Sequence, residues 1–191
     1  YGLTISERAE VDTWHKDVRF FDITDADNVL RGSFYLDLYA REHKRGGAWM
    51  DECVNRMRIN NQLQVPVAYM TCNFTPPIGD QPALLTHSEV ETLFHEFGHG
   101  LHGLLTQIKY SEFSGVDGPR DYTEFPAQIL EHWAGESEML AEYALHYETG
   151  EAIPLELIEK MREASNHNQG FRTTEFIAAS LLDLAWHRLS H

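Results

Sequence analysis

The spacing of two histidines constrains this chain more than any other feature of its sequence. His95 and His99 stand four positions apart in the run His95-Glu96-Phe97-Gly98-His99. On an α-helix this spacing puts the two imidazoles about 40° apart around the axis and about 6 Å apart along it, so both can reach one metal ion. Glu96, rotated by about 100° from His95, then flanks the metal and can take a proton from a metal-bound water. The pattern is short, and it also arises by chance on solvated helices.

The neighbouring residues predict the helix that such a metal site needs. Thr86 and Glu89 have the spacing of a capping box, in which each side chain bonds the backbone N–H of the other residue. Apolar residues then recur at helical spacing, so we predict a helix over 87–106. Three glycines lie inside it, at Gly98, Gly100 and Gly103. Each lowers the stability of the helix by about 0.5–1 kcal/mol relative to alanine. Their presence indicates either that another backbone or a substrate approaches closely or that the helix is tightly packed.

A catalytic zinc also needs a third protein ligand and an open fourth position. The metzincin pattern requires glycine and histidine where this chain has His102 and Leu105, so that class is excluded. A gluzincin takes a glutamate from a second helix, and Glu124 is the best candidate for it. Because Pro126 is tolerated best in a first helical turn, we predict a helix over about 124–134 with Glu124 near its start. Glu124 fits equally well as a capping carboxylate of that helix.

These residues also carry a family resemblance. The run from His95 to His102, followed 29 residues after His95 by Glu124, resembles the thimet oligopeptidase and dipeptidyl carboxypeptidase family of zinc peptidases. Further similar stretches are Lys44-Arg45-Gly46-Gly47-Ala48-Trp49, Cys72-Asn73-Phe74, Thr173-Thr174-Glu175-Phe176 and Leu181-Leu182-Asp183. The dipeptidyl carboxypeptidase branch is favoured by Pro119-Arg120-Asp121 and Glu131-His132-Trp133-Ala134. The resemblance implies that His95, His99 and Glu124 bind one zinc ion and that Glu96 is the general base.

The implied function is zinc-dependent hydrolysis of peptide bonds in short peptides, with Glu96 activating a zinc-bound water. Release of C-terminal dipeptides is the expected specificity, and internal cleavage by an oligopeptidase of the same family is the alternative. A third possibility belongs to a different class: a non-catalytic acidic helical module in which the histidines are incidental. A measurement of bound zinc would distinguish this module from the peptidase.

The resemblance also implies missing parts. Family members are several times longer than 191 residues, and they carry a Gly- and Tyr-rich segment, beyond the Leu-Leu-Asp helix, that binds substrate and the oxyanion. We therefore expect a catalytic-domain fragment whose partner is the missing remainder of a full-length chain. Because the loss of one oxyanion donor costs roughly 10²–10³ in rate, we expect the isolated fragment to be poorly active or inactive.

Two residues are candidates for a supporting role beside the metal ligands. Glu131 lies seven positions after Glu124, on nearly the same helix face, so it can hydrogen-bond the far nitrogen of a ligand histidine. Gln128 competes for that role.

Gly46, Gly47 and Ala48 are candidates for substrate binding. Small residues on an exposed sheet edge let a peptide lie alongside and bond backbone to backbone. The alternative is a simple turn before a helix at about 50–58.

Composition sets the outer bounds. The formal net charge of −15 disfavours nucleic acid, whose phosphates reward a basic face. No apolar run approaches the roughly 18 residues of a membrane span, so we expect no membrane insertion. Two cysteines do not make a disulfide framework, so we expect free thiols. A cytoplasmic location is favoured, with the periplasm as the alternative.

Together these patterns predict an α+β fold that is mainly helical, with a small antiparallel or mixed sheet followed by a helical half. Strands are predicted at Asp17 to Ile23, Ser33 to Ala40 and Val65 to Phe74. Beyond the two helices above, helices are predicted at about 136–148, 154–167 and 172–188. We expect 1–191 to be a single zincin-like catalytic segment, with a strand-rich half over 1–80 and a helical half over 81–191 that carries the zinc site.

Overall fold

The computed structural model describes residues 1–189 of the chain, and these divide into a strand-rich part followed by a helical part. The strands are β1 (Thr4–Glu7), β2 (Arg19–Thr24), β3 (Leu30–Tyr39), β4 (Trp49–Val54), β5 (Met57–Ile59), β6 (Gln62–Gln64) and β7 (Val67–Phe74). The α-helices are α1 (His87–Leu104), α2 (Arg120–Ala134), α3 (Ser137–Tyr143), α4 (Leu155–Ser165) and α5 (Gln169–His187). Two short 3₁₀ turns, Ser111–Phe113 and Gly115–Asp117, connect α1 to α2. The predicted α+β class is confirmed.

Five strands form one mixed sheet in the order β1-β2-β3-β7-β4. Only β3 and β7 pair in parallel, and the other neighbours are antiparallel. The three predicted strands are confirmed as β2, β3 and β7, whereas β1 and β4 were not predicted. Strands β5 and β6 form a separate hairpin. Strand β4 therefore lies at an edge of the main sheet.

The helix at about 50–58, which belonged to the alternative interpretation of the Gly46 to Ala48 segment, is absent, because most of residues 50–58 are strand β4. Trp49 pairs with Thr71 and Met50 pairs with Met70 in an antiparallel register. The backbone groups of this segment thus find their partners on β7, which is distant in sequence, rather than within a helix of their own. Local sequence did not reveal that partner.

Helix α1 packs on one face of the sheet and closes the main hydrophobic core. The fully buried members of this core are Ile23, Phe34, Ala68, Met70 and Leu104. The rings of Phe34 on β3 and Phe97 on α1 meet edge to face at 5.7 Å between centroids. The helix that carries the histidines is consequently held against the sheet by its apolar face.

A buried ion cluster holds the loop between β3 and β4 against the sheet. Asp37 receives two hydrogen bonds from Arg41, at 2.7 and 2.8 Å, and one from Lys44 at 2.8 Å. The Lys44 ammonium also donates to the carbonyl oxygens of Tyr39, at 2.8 Å, and Cys72, at 2.5 Å. These bonds attach the first part of this loop to strands β3 and β7.

The chain separates into two compact units, Tyr1–Met139 and Leu140–His191, the second described as far as Leu189. The first holds the sheet, α1 and α2. In the second, Leu140 and Ile158 are buried, whereas no residue of α5 is. Cys53 is exposed and Cys72 is buried, and both are free thiols. Within residues 1–189, no helix combines the length and apolar character that crossing a membrane requires.

Candidate metal centre

The first element of the site is α1, which starts where the capping box predicts. The backbone N–H of Glu89 donates to Thr86 Oγ1 at 3.3 Å, and the N–H of Thr86 donates to Glu89 Oε2 at 2.8 Å. These reciprocal bonds satisfy N–H groups that a helix leaves unpaired at its start. The helix ends at Leu104, two residues before the predicted end.

Three polar atoms from two helices converge at one point. His95 Nε2 and His99 Nε2, one helical turn apart on α1, are separated by 3.1 Å. Glu124 Oε2 on α2 lies 3.3 Å from each of these nitrogens. The structure thus brings together all three residues that were predicted as zinc ligands.

The spacing of these atoms fits a zinc ion. Ligand atoms placed tetrahedrally at about 2.0–2.1 Å from zinc are about 3.3 Å from one another. The observed separations of 3.1, 3.3 and 3.3 Å are close to this value. Two imidazoles and one carboxylate are also a common donor set for catalytic zinc. His95, His99 and Glu124 can therefore hold one zinc ion and leave a fourth position open.

Glu131, rather than Gln128, contacts one of the predicted ligand histidines. The Oε1 atom of Glu131 makes a hydrogen bond with His95 Nδ1. Gln128 is exposed on α2, and its side chain has no hydrogen bond within the described part of the chain. A proton on Nδ1 shared with Glu131 leaves the lone pair of His95 Nε2 directed at the metal position.

Helix α2 starts earlier than predicted, and the prediction that Pro126 lies in its first turn is wrong. The N–H groups of Tyr122 and Thr123 both bond to the carbonyl of Pro119, at 2.9 and 3.0 Å, so the helix is established before Pro126. A proline in the interior of a helix removes one intrahelical hydrogen bond. Here α2 continues on both sides of Pro126. Glu124 therefore lies within the helix and does not cap it. Its carboxylate faces the two histidines instead.

Glu96 is buried beside the three predicted ligands, at only 6% exposed. Burial raises the pKa of Glu96 and the nearby charge of Glu124 raises it further, whereas His95 and the nearby backbone N–H of Met50 on β4 oppose the change. A carboxylate with a raised pKa binds a proton more readily, as a general base must.

His99 and His102 differ in their surroundings. Burial lowers the pKa of His99, although the Glu124 carboxylate opposes this change, and the neutral imidazole is the form that binds metal. His102 lies outside the ligand set; its ring packs against Tyr122 at 5.7 Å between centroids, and burial lowers its pKa as well.

The Gly46, Gly47 and Ala48 segment forms the turn that leads into the edge strand β4. Gly47 has a φ of +90°, a conformation that side chains other than glycine rarely adopt. The Asn73 side chain donates to the carbonyl oxygens of Arg45, at 2.8 Å, and Gly47, at 2.7 Å. The turn is thereby fixed to β7, the strand that pairs with β4.

Two contributions to the site have no clear signal in the sequence. The Met50 N–H near Glu96 is a backbone group, so residue identity does not reveal it. The second is the place where α1 and α2 touch, at Gly98 and Ala127. Only the run of helix glycines hinted that another backbone approaches there.

The chain is similar to known peptidases along its whole length. The model of "Peptidase family M3" matches residues 1–191. Oligopeptidase A of Escherichia coli (strain K12) is 54% identical over 189 residues, covering 98% of this chain and 28% of the relative. Dipeptidyl carboxypeptidase of the same strain is 46% identical over 189 residues, covering 99% and 28%. "Probable cytosolic oligopeptidase A" of Arabidopsis thaliana is 39% identical over 180 residues, covering 91% and 26%. The chain thus spans about a quarter of the length of these relatives.

Proposed function

The chain belongs to peptidase family M3, and from this membership we propose that it supplies the metal centre and general base of a zinc peptidase acting on short peptides. The observation that carries the proposal is the triangle of His95 Nε2, His99 Nε2 and Glu124 Oε2, with sides of 3.1, 3.3 and 3.3 Å. Glu96 lies on the same helix as the two histidines and is buried beside this triangle.

The three ligands hold one zinc ion, and Glu131 keeps His95 in the tautomer that offers Nε2. When bound, zinc lowers the pKa of a water molecule towards about 7 and polarises the carbonyl of the peptide bond. Two neutral imidazoles and one carboxylate would offset only one of the two positive charges of a bound zinc ion.

Glu96 moves the proton. Its carboxylate takes a proton from the attacking water and returns it to the amine that leaves when the peptide bond breaks. Burial and the neighbouring Glu124 raise the pKa of Glu96, which helps it to hold this proton between the two steps.

Strand β4 provides a surface for the substrate backbone. It is an edge strand of the main sheet, so its outer N–H and C=O groups are available to a peptide laid alongside. The turn at Gly46, Gly47 and Ala48 adds no bulky side chain at the start of this edge. Because the backbone of Met50 on β4 lies near Glu96, a peptide held on this edge lies near the general base.

The specificity of cleavage has two candidate forms. The predicted release of C-terminal dipeptides matches the name of the relatives that are 46% identical. Cleavage within oligopeptides matches the name of relatives that are 54% identical, and this greater identity favours it. Digestion of one peptide with a free C-terminus and the same peptide with an amidated C-terminus, by the full-length protein, separates them. Internal cleavage proceeds on both peptides, whereas dipeptide release requires the free carboxylate.

Metal content tests the proposal directly. The purified chain, supplied with zinc and dialysed, should retain about one zinc ion per molecule by elemental analysis. His99→Ala should abolish retention, whereas the matched change His132→Ala, at an exposed position on α2, should leave it intact. A wild-type chain that retains no zinc would favour the non-catalytic acidic helical module instead.

A further inference from the structure

Gly98 marks the closest approach between the two helices that carry the metal ligands. A Cβ atom at this position would lie 2.5 Å from the Cα of Ala127, 2.7 Å from the carbonyl oxygen of Pro126 and 2.9 Å from the amide nitrogen of Ala127. All three are backbone atoms of α2, so no change of rotamer relieves the clash. The observed crossing of α1 and α2 is therefore possible only with glycine at this position.

The other glycines of α1 have different neighbours. A Cβ at Gly100 would meet the Met70 sulfur at 2.9 Å, and one at Gly103 would meet the terminal methyl of Met50 at 3.1 Å. These neighbours are the ends of flexible side chains. Of the three, Gly98 alone faces the backbone of the helix that carries Glu124.

The contact at Gly98 lies between the residues that form the site. On α1, Gly98 is next to His99 and three residues after His95. On α2, Ala127 lies between Glu124, which approaches both histidines to 3.3 Å, and Glu131, which bonds His95. Glu124 reaches α1 on one side of this contact, and Glu131 reaches it on the other side. The distance between the helices at Gly98 consequently sets how far both carboxylates extend towards the histidines.

We propose that Gly98 is a positioning residue of the metal centre: its missing side chain lets α2 approach closely enough for Glu124 to complete the ligand triangle and for Glu131 to orient His95. This inference rests on the proposed function, because it concerns the same zinc site. It also accounts for a glycine in the interior of a helix, where alanine favours helix formation more than glycine does.

The change Gly98→Ala tests the proposal. An ordinary contact of a Cβ atom is 3.4–4 Å, so the helices must separate by about 1 Å to accept the methyl group. Metal–ligand distances in zinc sites lie within about 0.2 Å of their usual values. We expect the dissociation constant for zinc, measured by competition with a chromophoric chelator, to rise by about 10–100-fold. The matched control is Gly100→Ala, on the same helix, which should leave zinc affinity close to that of the wild type.

A second measurement separates positioning from loss of stability. Partial unfolding weakens all metals by the same factor, because each binds only the folded form. A wider triangle instead favours a larger ion, so Gly98→Ala should shift the ratio of the dissociation constants for Cd²⁺ and Zn²⁺ towards Cd²⁺. Gly100→Ala should keep the wild-type ratio even if it is less stable.

The outcomes are distinct. A Gly98→Ala chain with the wild-type zinc affinity or the wild-type Cd²⁺ to Zn²⁺ ratio overturns the role of Gly98 and leaves the proposed function standing. A wild-type chain that binds neither metal overturns both.

Discussion

The carboxylate of Glu131 on α2 hydrogen-bonds Nδ1 of His95 on α1, while the Nε2 atom of the same ring faces His99 and Glu124. One glutamate of α2 thus sets the tautomer of a histidine on α1, and another glutamate of α2 stands beside the nitrogen that this tautomer leaves free. The candidate metal centre is a property of the helix pair, since neither helix contains it alone.

Glu131→Ala should weaken zinc binding by about 10–100-fold, because His95 would lose the partner that holds its ring and its tautomer. The matched control is Gln128→Ala, one turn earlier on an exposed position of α2. Titration of both variants with zinc against a chelator measures the difference. Equal affinities in the two variants would contradict a supporting role for Glu131.

Glu96→Gln should retain zinc and lose hydrolysis. The amide cannot accept the proton from water, and general-base catalysis contributes roughly 10²–10⁴ in rate. The assay compares cleavage of a fluorogenic short peptide by the full-length wild type and variant, each at one zinc per chain. A variant that hydrolyses as fast as the wild type would remove Glu96 from the reaction.

Stability should decrease at low pH through Asp37. Burial alone would raise its pKa, but hydrogen bonds from Arg41, Lys44 and Trp14 hold the pKa at about 2, compared with an ordinary value of 3.8. Because the folded-state pKa is the lower one, this contribution to stability is fully present above pH 3.8 and is lost as the pH falls through about 2. The shift corresponds to at most about 2 kcal/mol.

Urea unfolding of the metal-free wild type and of Asp37→Asn, in steps from about pH 5 downwards, measures this contribution. The difference in free energy of unfolding between the two proteins should shrink as the pH approaches 2. A difference that stays constant with pH would show that the ionised Asp37 carboxylate does not stabilise the folded state.

Asn73→Ala should weaken substrate binding without weakening zinc binding. The Asn73 side chain holds the carbonyl groups of Arg45 and Gly47, and its loss frees the turn before β4. We expect KM for short peptides to rise more than kcat falls in the full-length protein. The control Asn166→Ala removes a side-chain amide from an exposed helix end. An unchanged KM in Asn73→Ala would mean that the turn has no part in holding the peptide.

The sequence by itself determined the features that depend on neighbouring residues. Helix α1 is predicted by the Thr86 and Glu89 capping box and by apolar residues at helical spacing, because both bonds of the cap and all bonds of the helix join residues within about one turn. The convergence of His95 and His99 follows from the same helical geometry. Strands β2, β3 and β7 carry enough β-branched and aromatic residues to be recognised without knowledge of their partners.

Only the tertiary structure decided the features that depend on distant residues. Strand β4 forms because β7 offers a pairing partner, and this places the backbone of Met50 near Glu96. The choice of Glu131 over Gln128 depends on how α2 crosses α1, a geometry set where Gly98 meets Ala127. Sheet pairing and helix crossing join residues far apart in the sequence, so no local pattern records them.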